Sequence, residues 1–276
     1  MDKHIRKIFS VFVLGMIALF IMRIYSGEWS VVNWGMLVLS ALSCLLVFQC
    51  FVYIFNFSYA LACILIGIFI AVMLPSISSV LFAGAIVIYG LRLFLFTWGR
   101  YHTESYQPRV ENVRKEDAKL PFPIKIVLWV QCTFLYLFHL FAIYMVASTV
   151  VLNGLLVVGI FLILLGTFIE ALGDAQKQEG KQRTPDTFIT SGMFARWRHP
   201  NYMGEIIVQI GIIIAGISAV SVGWANYAAV IIAPLYIILL MISESGRADK
   251  YQLLRYGGDQ AYKTYVANSG SLLPRL

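Results

Sequence analysis

The stretch Gly154-Leu155-Leu156-Val157-Val158-Gly159-Ile160-Phe161-Leu162-Ile163-Leu164-Leu165-Gly166-Thr167-Phe168-Ile169-Glu170-Ala171 decides the fold class. It is apolar over almost the whole length, roughly 20 residues, that an α-helix needs to cross the hydrocarbon core of a bilayer, and no charge interrupts it before Glu170. We take this span as 150–171. Working outward, seven more runs have the same character, near 8–25, 31–55, 58–75, 79–98, 125–147, 203–221 and 224–243. Pro75, Asn153-Gly154 and Gly223 punctuate the sequence where spans must turn. Apolar runs this long leave little room for strands. The pattern predicts an all-α, polytopic transmembrane helical bundle of about eight spans.

Composition agrees. Of 276 residues, 60% are hydrophobic and 13% charged, about half the charge of a soluble domain, which argues against an ordinary cytosolic enzyme. Disorder is excluded too, because it needs few apolar residues and many charges, whereas the mean hydropathy is +0.80. Cys44, Cys50, Cys63 and Cys132 all fall inside apolar runs, without a CxxC pair or histidines at ligand spacing, so they read as packing residues with no disulfide or metal role. The N-terminus has the basic-then-apolar look of a secretion signal. It lacks a small-x-small cleavage site and is taken as a retained first span.

A net charge of +7 could serve nucleic acid, but its placement answers to membrane topology. Basic residues collect in 1–7, 99–124, 172–202 and 244–276, while the turns near 26–30, 76–78, 148–149 and 222–223 have none. Both termini are therefore expected in the cytoplasm, in an inner or plasma membrane. Membrane lipids are the expected surroundings, and nucleic acid is not an expected partner.

Ionisable groups within apolar runs are costly and so are candidate functional groups. Tyr89 and Arg92 share a helix face in the fourth span, and Arg100 continues the basic line. A snorkelling arginine with an interfacial tyrosine is the alternative. Glu170 and Asp174 project two like charges from one face at the end of the sixth span, an arrangement that gains nothing unless donors lie opposite. In Arg196-Trp197-Arg198-His199-Pro200-Asn201-Tyr202-Met203-Gly204-Glu205, Pro200 suits a first helical turn, and the preceding cations with free amides form an anion site. Asn201, Glu205 and Gln209 recur every four residues as a polar stripe. The tail from Glu244, including Tyr251, has apolar and aromatic residues at helical spacing beside basic ones, as an amphipathic interfacial segment would, with ligand contact an open alternative. No GxGxxG after a strand, GxxxxGK[ST], HExxH or GxSxG occurs.

Glu170-Ala171-Leu172-Gly173-Asp174-Ala175-Gln176, the Arg198-His199-Pro200-Asn201-Tyr202 core with Gly204-Glu205, and the tail ending in Leu273-Pro274 resemble the steroid 5-alpha-reductase-like membrane family, in its bacterial branch. The likeness spans the region from about Tyr89 onward. It divides the chain into 1–78, N-terminal spans with little resemblance, and 79–276, the family-like region. Isoprenylcysteine carboxyl methyltransferases, which use S-adenosylmethionine, share the RHPxY element. The glutamate after NYxG and the upstream ExxGDxQ favour the reductases.

The resemblance implies an NADPH-dependent reductase that saturates a carbon–carbon double bond conjugated to a ketone in a sterol-like or other lipidic substrate, with its cofactor site facing the cytoplasm. It implies that Glu170, Asp174, Asn201 and Glu205 line the cofactor pocket; Arg196, Arg198 and His199 of the anion site, with Tyr202 and Tyr251, are the further candidate cofactor contacts. Arg92, with Arg100, would stand near phosphate, and Tyr89 would hydrogen-bond the substrate ketone. The family pairs that tyrosine with a carboxylate from an earlier span. No Asp or Glu occurs from Trp29 to Tyr89, and Asn56 is the nearest polar candidate for the second catalytic position, so that a non-catalytic lipid-binding relative stands as an alternative beside the methyltransferase.

Overall fold

The computed structural model describes residues 3–149 and 152–275, with side chains from Phe9 onward except Ser105. The side chains of Lys3, Arg6 and Lys7, on which part of the topology expectation rests, lie outside the described residues. Eleven α-helices are seen among the described residues, and no strand; the nearest thing to one is an isolated bridge between Trp197 and Gly270. Six helices are long and apolar enough to cross a membrane: Val31–Phe48, Ile77–Tyr101, Phe122–Thr149, Gly154–Arg183, Pro200–Ile217 and Trp224–Tyr256. Phe9–Tyr25 and Phe57–Met73 are shorter apolar helices. The eight runs read from sequence thus reappear as six helices of spanning length and two shorter ones.

The chain divides into two compact units, Met1–Ile163 with Ile210–Tyr236, and Leu164–Gln209 with Ile237–Leu276. The first contains α1 (Lys3–Tyr25), α2 (Val31–Ser43), α3 (Phe57–Met73), α4 (Ile77–Tyr101), α5 (Gln107–Ala118), α6 (Phe122–His139), α7 (Phe141–Thr149) and the start of α8 (Gly154–Arg183). Its helices bury residues such as Met16, Ile66, Phe82 and Phe138 inward and leave Val11, Leu14, Leu95 and Phe161 exposed. Water would penalise that outward apolar surface, and lipid does not. Asn153 starts α8 by accepting the Leu156 amide at 2.9 Å, and Gly223, at φ +90, precedes α10 (Trp224–Tyr256).

One expected span departs from the reading. The run 31–55 is not one helix: α2 ends at Ser43, and two 3₁₀ segments follow, Cys44–Phe48 and Phe51–Phe55. The break has a cause. Cys50 is extended, and the Phe51 amide donates to Asp117 Oδ1 at 2.7 Å, while Lys125 Nζ holds Asp117 Oδ2 at 2.8 Å. A carboxylate 66 positions away takes the amide that would otherwise continue the helix.

The second unit holds the rest of α8, the first half of α9 (Pro200–Ile217), the end of α10 and α11 (Gln260–Asn268). The tail differs from the expected separate surface segment. Residues up to Tyr256 continue α10, and the chain then returns, with Gly270 and Ser271 accepting the amides of Arg198 at 2.8 Å and His199 at 3.1 Å.

Candidate functional site

In the second unit, α8 and α9 meet through glycines. A Cβ placed on Gly204 would lie 2.6 Å from the Glu170 backbone nitrogen, and one on Gly166 would lie 2.5 Å from the Gly204 carbonyl oxygen, so neither position admits a side chain without moving a backbone. Small residues let apolar helices approach this closely. The approach places Glu170, Asp174, Glu205 and Gln209, all buried, along the seam. Asn201 Nδ2 donates to Asp174 Oδ1 at 3.2 Å and Gln209 Nε2 to Glu205 Oε1 at 2.7 Å. Asn201 of the α9 stripe thus meets Asp174 of α8, and Gln209 and Glu205 pair along α9 itself. Asn201 Oδ1 is buried without a hydrogen-bond partner, a position suited to a donor such as a carboxamide or hydroxyl.

The motif residues that the reading left without a role have one here. Gly192 turns at φ +60, and Gln176 Oε1 accepts the next amide, Met193, at 2.9 Å. Gln176 therefore ties the loop before α9 to α8. Gly173 sits against Asn201, 3.1 Å from its nitrogen for an added Cβ.

The segment before Pro200 is not the open anion cradle expected. Arg198 donates from Nε to Asp249 Oδ1 at 3.0 Å and from Nη2 to Oδ2 at 3.2 Å, and its Nη1 faces Ser269. His199 Nε2 lies 2.9 Å from Asp249 Oδ1, and Ser271 donates to Oδ2 at 2.8 Å. The amides of Arg198 and His199 are taken by the returning tail, and the Met203 amide bonds back to His199 at 3.2 Å. The reason is Asp249, a bidentate partner on the next helix that matches the guanidinium fork. Arg198 and His199 thus hold the loop in place. Arg196 remains exposed, Tyr202 stacks on His199 at 5.4 Å with Lys177 6.0 Å from its ring, and Tyr251 is exposed on α10. Outside the spans, burial first of all pushes the Tyr265 hydroxyl up to about 12; it donates to the Phe194 carbonyl at 2.9 Å.

In the first unit, Tyr89 is completely buried. Its neighbour is Tyr59 of α3, ring centroids 5.9 Å apart, and Tyr59 in turn packs on Tyr136 at 5.2 Å and His139 at 5.1 Å. The Tyr59 hydroxyl lies 3.1 Å from His139 Nε2, and Tyr136 donates to the Ile54 carbonyl at 2.5 Å. Asn56 is not part of this group. Its side chain hydrogen-bonds Tyr101, whose Cα is about 18 Å along α4 from that of Tyr89 at 1.5 Å per residue. Arg92 and Arg100 flank Phe96, at 5.4 and 5.9 Å from its ring, and Arg100 also covers Tyr106 at 4.4 Å. Sequence reading missed Tyr59 and His139. A histidine inside an apolar run was the available signal.

The class that emerges is a helical protein with membrane-spanning helices, a buried acid and amide seam in one unit and a buried phenol and imidazole group in the other. Residues 54–269 match the family described as protein of unknown function (DUF1295), and the chain belongs to that family. No curated protein and no solved structure matches it.

Proposed function

We propose that the protein is a membrane-embedded NADPH-dependent reductase that saturates a carbon–carbon double bond conjugated to a ketone in a sterol-like or other lipidic substrate, as the resemblance to the steroid 5-alpha-reductase-like family implies. The observation that carries the reading is the α8–α9 seam, where Glu170, Asp174, Asn201 and Glu205 face a spacing that glycines keep tight. An acceptor-rich seam suits a nucleotide's ribose hydroxyls and carboxamide, and Asn201 Oδ1 supplies one acceptor already buried. Arg196 and Lys177 are the cations of this unit suited to phosphate, with Arg198 engaged by Asp249. A bound nicotinamide would supply the hydride. Tyr89 would donate to the ketone oxygen, where negative charge develops as the double bond is reduced, and burial among aromatic rings strengthens such a donor. Complete burial also means that a ketone reaches Tyr89 only when the packing around it opens.

The test is stabilisation of the detergent-solubilised protein. NADPH should raise the melting temperature by mass action, and S-adenosylmethionine should not. Stabilisation by S-adenosylmethionine alone would transfer the assignment to the methyltransferases. The cytoplasmic orientation of the nucleotide unit is checked by cysteine labelling, with Thr187→Cys reacting from the cytoplasmic side and Ser148→Cys from the other.

A further inference from the structure

The group around Tyr89 contains one side chain able to carry a proton near neutral pH, and it stands on an element that the sequence comparison did not implicate. His139, near the end of α6, is fully buried. Its Nε2 is 3.1 Å from the Tyr59 hydroxyl, and the Tyr59 ring is 5.9 Å from that of Tyr89. Tyr136, the other phenol packed on Tyr59, gives its hydroxyl to the Ile54 carbonyl and so serves the backbone. A histidine in a membrane-spanning helix is costly to bury, and one directed at a phenol beside the proposed ketone donor has a chemical use.

We propose that His139 and Tyr59 form a relay that positions and reprotonates Tyr89, in place of the carboxylate absent between Trp29 and Tyr89. The inference rests on the reductase reading for its chemistry. When hydride reaches the β-carbon, the π electrons move toward the ketone oxygen and Tyr89 gives that oxygen its proton. The enol so formed becomes the ketone as its α-carbon takes up a proton from solvent and its hydroxyl proton returns to solvent, so the one net proton is the one Tyr89 gave. Tyr89 recovers its proton from Tyr59, Tyr59 recovers one from the imidazolium of His139, and neutral His139 is recharged from water. The sum is one enone, one hydride and one proton giving one saturated ketone. His139 is a positioning residue in this scheme, since it acts through Tyr59. The titratable groups around the relay are Tyr59 on α3, Tyr89 on α4 and Tyr136 on α6, with Cys44, Cys63, Cys132 and Tyr236 beside Tyr136. They are phenols and thiols, ordinarily neutral near pH 7, and His139 is the imidazole among them.

The experiment is nitrogen NMR of the full chain labelled with ¹⁵N-histidine, with a 4-en-3-one sterol as probe and no nucleotide present. The His139 resonances are identified by their loss in His139→Gln. The sterol should shift them in the wild type, and Tyr59→Phe or Tyr89→Phe, each still folded by its melting transition, should abolish that shift. An unmoved His139 signal, or a shift that persists in Tyr59→Phe, overturns the relay. Single-turnover NADPH oxidation then separates the two readings. His139→Gln should lower the rate roughly 10²-fold and remove one ionisation from its pH profile while nucleotide affinity holds. Wild-type rate and pH profile in His139→Gln overturn the relay and leave the reductase standing. A sterol-responsive His139 with no NADPH oxidation overturns the reductase and keeps the relay.

Discussion

Tyr89 and Glu205 are both buried polar side chains on apolar helices, yet their surroundings differ in kind. Around Tyr89 the packing is aromatic, with Tyr59, Tyr136 and His139 filling space by their rings and using few polar atoms to do it. Around Glu205 the packing is set by backbone: Gly204 and Gly166 draw two helices together, with carboxylates and amides along the seam. The first arrangement makes one strong donor in a dry place. The second sets acceptors beside a close contact between two backbones. The two groups should therefore differ in their sensitivity to substitution.

The largest effect should fall on the chemistry of the aromatic group. Tyr89→Phe removes one hydroxyl, and loss of such a donor costs roughly 10²–10³ in rate, about 3–4 kcal/mol, with nucleotide affinity retained. Single-turnover NADPH oxidation checks it, and an unchanged rate would return Tyr89 to simple packing. Asp249→Ala should come next, acting on the fold of the second unit. It leaves Arg198 and His199 facing an empty partner position, for a loss of roughly 3 kcal/mol in denaturant unfolding. Gly204→Ala should cost about 1–3 kcal/mol through overpacking and weaken NADPH binding, because the new Cβ meets the Glu170 backbone. If that variant binds NADPH normally, the seam is a packing device alone. Tyr265→Phe should be smallest, about 1 kcal/mol for one hydrogen bond.

Tyr265 also carries a pH signature. Its folded pKa is raised to about 12 from an ordinary 10, so the folded state holds the proton more tightly than the unfolded one. Its contribution is fully present below pH 10 and is lost as pH rises through 12. Unfolding midpoints of wild type and Tyr265→Phe should therefore converge across that window; parallel curves would assign the hydroxyl no such role.

What could be read in advance follows the range of the interactions. Helix class was legible because hydrophobicity is a local property of runs such as 154–171, and the Glu170, Asp174, Asn201, Glu205 set was legible because spacings of three and four place residues on one face. The interruption at Cys50 was not, because Asp117, which takes the Phe51 amide, lies on another helix. The same holds for Arg198. Beside Pro200 it has the look of an anion ligand, and only the fold brings Asp249 to it. Asn56 was placed by distance along the sequence, and Tyr101 holds it elsewhere.

The returning tail also sets an order of events during synthesis. Arg198 and Ser269 are 71 positions apart, and the chain between them contains α9 and α10, both of spanning length. A polypeptide made from its N-terminus therefore leaves the Arg198 guanidinium without its carboxylate until Asp249 is made, and the amides of Arg198 and His199 without their acceptors until residues 270–271 are made. Asp249 arrives earlier than Ser271, so the ion pair precedes the backbone pairing. The loop before Pro200 consequently gains its last backbone partners only when the end of the chain has been made.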